Sequence, residues 1–157
     1  MGKYNRIVCG IIFLISLAAC QTIPLAEQNT IHPDHQWNSA KPEKYLFNIT
    51  DTNQLYKVVF VIRHHNAYHY KNIWIELSHS NTAEQFKTET FNLNLANDQK
   101  GWLGTGMDDI YDQRIPLYSK PVKLNYGIHT FTIKHSMRED PLQNILSTGI
   151  RIEKANL

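Results

Sequence analysis

The stretch "GWLGTGMDDIYDQRIP", residues 101–116, holds three glycines, three aspartates and a tryptophan. Two chemistries use such residues. A phosphate loop spaces glycines so that backbone N–H groups, continued by a helix N-terminus, meet the anion. Here Gly101, Gly104 and Gly106 run into Asp108 and Asp109, whose charges repel phosphate, and no helical pattern follows. A calcium loop sets carboxylates at alternate positions and ends on a distal Glu. Asp108, Asp109 and Asp112 miss that spacing. The stretch reads as a connection that needs Gly where φ is positive. Trp102 within it either plugs the core or meets a partner.

Histidine offers a second chemistry. His64, His65 and His69 lie in "RHHNAYH", and His32 and His35 form an H-x-x-H pair. Zinc needs His, Cys or carboxylate ligands converging in a tetrahedron. No H-E-x-x-H helix organises these histidines, so they read as surface or strand-end residues and no metal is expected. A G-x-S-x-G elbow is absent, and no pair of carboxylates is marked as facing another. The expectation is a protein that is not an enzyme and carries no cofactor.

Location bears on every one of these readings. Lys3 and Arg6 precede an apolar run from Ile7 to Leu17, about eleven residues against the ~20 that span a bilayer. A basic head, a short apolar core and small residues before a break make a secretory signal. The break, Leu17-Ala18-Ala19-Cys20, resembles the bacterial lipobox, in which cleavage precedes a Cys that becomes lipidated. Residues 1–19 are thus expected to be removed and Cys20 to be the lipid attachment site. Losing Lys3 and Arg6 from 16 basic side chains levels them with the 14 acidic ones, so no basic nucleic-acid footprint remains. Cys9 leaves and Cys20 is acylated, which excludes a disulfide scaffold and a thiol catalyst.

The elements that must position these residues follow from periodicity. Residues 20–36 are polar, contain Pro24 and Pro33, and show no sustained period; they read as a lipidated tether. From Trp37 to Leu157 a single domain is expected. "KYLFNIT" puts Tyr45, Phe47 and Ile49 on one face, and "NIWIEL" does so with Ile73, Ile75 and Leu77. Phe91, Leu93 and Leu95 repeat the pattern, as do Val122, Leu124 and Tyr126, and finally Ile150 and Ile152. These are strands with one wet face. "LYKVVFVIR" is apolar on both faces and reads as a covered strand. One helical turn is expected at "DPLQNIL", with Asp140 capping and Pro141 at the first helical position. Seven or eight short strands imply an all-β sandwich, with jelly-roll connections preferred.

The lipobox, "RHHNAYHYKNIWIEL", "GWLGTGMDDIYDQRIPL" and "YGIHTFTIKHSMREDPLQNILSTGIRIEK" together resemble the gliding-motility lipoprotein GldH family of Bacteroidota, over nearly the whole mature chain. The resemblance implies a non-enzymatic envelope lipoprotein associated with gliding motility and type IX secretion, with no catalytic residues to carry over. Gln21 is not the Asp of inner-membrane retention, and no acidic run of the surface-export kind follows Cys20. The outer membrane, facing the periplasm, is the expected location.

The partners expected are the membrane, through the anchor, and other envelope proteins. Trp102, Arg114, Met137 and Arg138 are candidate partner-binding residues: a large aromatic, a soft thioether and planar guanidinium donors suit a contact surface. The competing expectation has Trp102 and Met137 plugging the core while the arginines satisfy Asp108, Asp112 or Asp140. A rival function is a glycan-binding jelly roll using Trp74 and Trp102, which predicts a planar row of aromatics on one concave face. A glycosidase would instead need two carboxylates ~5–9.5 Å apart across a cleft.

Overall fold

Alternating apolar residues become one-sided strands wherever a partner strand covers them. The computed structural model describes residues 25–81 and 87–155; Cys20 and the signal lie outside them. Eight long strands carry the fold: β1 (Leu25–Ile31), β3 (Glu43–Ile49), β4 (Leu55–His65), β5 (Asn72–Asn81), β6 (Lys87–Asn94), β10 (Ile110–Pro116), β12 (Gly127–His135) and β14 (Ile145–Lys154). Short ones lie between: β2 (Gln36–Trp37), β7 (Ala96–Asn97), β8 (Gly101–Trp102), β9 (Thr105–Met107), β11 (Val122–Lys123) and β13 (Leu142–Gln143). All pairings are antiparallel.

The larger sheet runs β1-β14-β4-β10-β9, with β11 beside β4, and the smaller runs β3-β12-β5-β6. Counting only the long strands in chain order, these are 1-8-3-6 and 2-7-4-5. That order is the jelly roll, two Greek keys wound into facing sheets. Tyr45, Phe47, Ile73, Ile75, Phe131 and Ile133 from the smaller sheet meet Phe60, Ile62 and Ile150 from the larger in one buried core. The all-β sandwich is therefore as the periodicity predicts, and its winding is the preferred jelly roll. In β4, Phe60 and Ile62 enter that core, while Val59 and Val61 are buried on the other face. Arg151 and Arg114 stand in register with those two valines, and their long stems suit covering apolar surface.

Three expectations change. Residues 25–31 are not tether but strand β1, paired along its length with β14. Beyond it Trp37 is fully buried, with its ring 6.3 Å from that of Phe60. Gly149 admits the new strand, since a Cβ there would collide with the Gln28 carbonyl and the Asn29 side chain. "DPLQNIL" forms no helical turn: β13 pairs with β2, Asn144 has φ 64°, and Leu142 and Ile145 are core residues. Asp140 accepts a hydrogen bond from the Ser39 amide at 3.0 Å instead of capping a helix. In "VKLNY" only Val122 and Lys123 pair, with β4; Leu124 is buried but Tyr126 is exposed.

Candidate functional surfaces

The glycine-rich stretch is turn and short strand. Gly101 has φ 70° and Gly104 φ 86°, and a Cβ on Gly104 would strike the Asp112 carbonyl and the Gln113 side chain. Asp108, at φ 53°, turns β9 into β10. The three carboxylates do not converge. Asp109 accepts from the Asn66 side chain at 2.6 Å, and Asp112 faces Arg63 at 3.6 Å. Among the described residues no group of three or more His, Cys, Asp or Glu side chains is placed to hold a metal.

Trp102 is half-buried against the core. Its ring lies 4.7 Å from that of His64, 6.0 Å from Tyr111 and 6.2 Å from Tyr68. His64 is fully buried, and burial pushes its pKa down, against the opposing pull of the His65 carbonyl and Asp112. The Gln113 amide donates to the Leu95 carbonyl at 2.9 Å and approaches His64 Nε2 at 3.3 Å. That network assigns the proton to Nδ1, which faces the His65 carbonyl at 3.0 Å.

Met137 and Arg138 lie in a different place, on the link leaving β12. They line a hollow of about 380 Å³ with Tyr70, Asn72, Trp74 and Ser136. The Trp74 amide donates to Met137 Sδ at 3.2 Å, and the Ser136 amide donates to the Trp74 carbonyl at 2.9 Å. Tyr70 connects this hollow to the Trp102 cluster, its ring 5.6 Å from that of Tyr68. Arg114 belongs to neither. It lies on the outer face of the larger sheet, where Glu27 receives it at 3.2 Å and Arg151 at 3.2 Å. Burial pushes the Glu27 carboxyl up, but hydrogen bonds from Asn29, Arg114 and Arg151 outweigh it and hold its pKa below the ordinary value. The expected local satisfaction of Asp112 and Asp140 falls instead to Arg63 and Ser39. Nor do the tryptophans form a row: Trp37 is in the core, Trp102 half-buried and Trp74 exposed on the smaller sheet.

A buried polar cluster lies where a tether was expected. His32 Nε2 meets Glu43 Oε1 at 3.3 Å and Thr148 Oγ1 at 3.0 Å. Thr148 and Tyr45 hydroxyls both donate to Glu43 Oε2 at 2.6 Å. Burial raises the Glu43 pKa against those hydrogen bonds, and burial lowers that of His32. A catalytic relay holds the acid on one ring nitrogen and the hydroxyl on the other. Here both partners crowd one nitrogen and the hydroxyl proton already points at the carboxylate, so the cluster cross-links β1, β3 and β14. Sequence gave no sign of it, because His32 joins this cluster only once β1 has paired.

At the other side of the sandwich entry strands β1 and β3 run side by side as sheet edges, with a cleft of about 450 Å³ between them. The Gln28 side chain donates to the Leu46 carbonyl at 2.7 Å and accepts from the Leu46 amide at 3.1 Å. Such a two-bond exchange is what one residue of a neighbouring antiparallel strand makes. Beside the cleft, Leu46 is 54% and Ile128 49% exposed on the outer face of the smaller sheet.

No curated protein and no solved structure matches the chain. A model of the GldH lipoprotein family matches residues 25–152, from the first strand to the last. The match starts at β1, the first described strand. The chain belongs to the GldH lipoprotein family.

Proposed function

We propose that this gliding-motility-related lipoprotein is a non-enzymatic interaction module. A lipid on Cys20 holds it to the outer membrane, and the jelly roll faces the periplasm and supports the motility or type IX secretion machinery through protein contacts. Family membership supports the lipid anchor and the envelope. The observation that carries the contact reading is the β3 edge: Leu46 stands exposed in the lining of an open cleft, Ile128 is exposed on the neighbouring strand β12, and one backbone position is already paired by an amide. Exposed strand edges are places where another chain adds.

The test is made in cells with the full lipidated chain. A photo-crosslinking residue at Ile128 is expected to capture envelope motility or secretion proteins, whereas one at Ser119 is not. Labelling with palmitate should be present in the natural chain and lost in Cys20→Ala. Crosslinks at Ser119 equal to those at Ile128 would remove the contact reading, and persistent labelling would remove the anchor.

A further inference from the structure

We infer that the hollow at Trp74 is a carbohydrate subsite for a carboxylated glycan. The inference concerns a surface other than the proposed protein contact. Ile128 and Ser136 are eight residues apart along the line of β12, roughly 25 Å at strand rise, so the β3 edge and this hollow lie at opposite ends of one sheet.

The register fixes what surrounds the indole. Trp74 faces Asn92 across β6, and Asn72 faces Asn94. On the other flank the Ser136 amide binds the Trp74 carbonyl, which places Ser136 beside Trp74 and brings Met137 and Arg138 after it. Trp74 is 42% exposed, and Asn92, Asn94, Ser136 and Arg138 are exposed as well. The Asn72 amide donates to Asn92 Oδ1 at 2.6 Å, so that pair of amides is held in one arrangement at the edge of the ring. The Trp74 backbone is held from the other side by Met137 Sδ. An exposed aromatic ring on a held backbone thus lies among amides, a hydroxyl and a guanidinium.

A pyranose matches this pattern. Its C–H face stacks on an indole, and its equatorial hydroxyls need short, two-way hydrogen-bonding groups at the ring's rim, which amides supply. A protein hot spot is surrounded by contacts that exclude water; beside Trp74 only Tyr70 and Met137 are apolar, and Asn72, Ser136 and Arg138 make the rest of the lining polar.

Charge narrows the class. Glu76 and Lys134 in the next row neutralise each other at 2.9 Å. Glu139 raises the pKa of the neighbouring Tyr70 hydroxyl and lies 3.9 Å from His69, with no ion pair to Arg138 among the described residues. Arg138 has no ion pair among the described residues. An unpaired guanidinium at the rim fits a sugar carboxylate bidentately. Uronate polysaccharides and peptidoglycan fragments both present a carboxylate on or near a pyranose.

The full-length chain in detergent micelles is titrated by calorimetry with tetragalacturonate, with a disaccharide-tetrapeptide peptidoglycan fragment and with maltotetraose. At least one carboxylated ligand is expected to bind one to one, about tenfold or more tighter than maltotetraose, as for loss of a charged hydrogen bond. Tetragalacturonate alone would mark an exported polysaccharide, and the fragment alone the cell wall. Trp74→Ala should abolish binding and Arg138→Gln should erase the preference over maltotetraose. Should Trp74→Ala not fold, Trp74→Tyr is expected to retain binding and Asn92→Ala to weaken it. Failure of both carboxylated ligands, equal binding of maltotetraose, or binding indifferent to these variants would overturn the subsite.

Discussion

Trp102 shows how one residue can be placed by its neighbours. Its ring packs on the fully buried His64 and on Tyr68, inside the sandwich end rather than out in a loop. Trp102→Ala is therefore expected to cost about 3 kcal/mol, the lower end for a large aromatic because the ring is only half-buried. The melting temperature should fall by roughly 10 °C. An unchanged melting temperature, measured on the lipidated chain, would show that the ring contributes little to packing. Its residue type was visible in the sequence, and so was the need for positive φ around it. Which histidine it would touch was not, since His64 and Trp102 approach only after β4 and the β7–β8 hairpin are both in place. Arg114 teaches the same lesson in reverse. Sequence neighbours suggested Asp108 or Asp112; Asp112 shares the outer face with Arg114 but is met by Arg63 directly across the ladder, and Arg114 reaches Glu27, two strands beyond β4.

Among the elements, the strands that follow a plain period were legible. β3, β5 and β14 bury the alternate residues that their sequences mark. β12 is harder to see, because two of its four inward positions are His129 and His135, both buried. β1 is invisible to periodicity: "LAEQNTI" has no apolar face, and its exposure is largely that of an edge. What makes it a strand is the partner, and the partner's Gly149 makes room. Gly149→Ala is expected to loosen β1 selectively, because the new Cβ meets the Gln28 carbonyl as well as a side chain. Hydrogen exchange should show protection lost at residues 26–31 while β12 and β5 keep theirs. Equal protection of β1 in the variant would mean that the ladder shifts to absorb the methyl. The helical turn expected at Asp140 failed for a related reason: Leu142 and Ile145 are needed in the core, and pairing with β2 decides their backbone.

Over the whole molecule, buried imidazoles make stability depend on acidity. Burial holds the pKa of His32, His64 and His135 below the ordinary 6.5, in His135 against the pull of Asp140 and the Trp37 carbonyl. Below that value the unfolded chain binds protons that these folded sites refuse, so stability falls as pH drops through about 6.5. Glu43 acts oppositely. Its folded pKa is raised above 4.5, so acidification through that raised value favours the folded state. Glu27, held low, loses its contribution only when acid passes below 4.5. The melting temperature is expected to decline between pH 7.5 and pH 5.5, and His64→Gln should make that decline shallower. A flat profile across this range would show that the buried histidines do not govern it.

The pairing of the first long strand with the last also sets how the domain bears load. Leu25 stands opposite Glu153, so the first described strand begins where the last one ends, at the same end of one ladder. Traction applied between the two termini would peel β1 from β14 one residue pair at a time, starting at that end. Traction between Leu25 and a partner that grips the opposite end of the sandwich, beyond Ile31, would instead pull along β1 and strain all its cross-strand bonds together. The fold is thus mechanically soft along one axis and stiff along another, and in the proposed tethered role the position of a partner would decide which axis it feels.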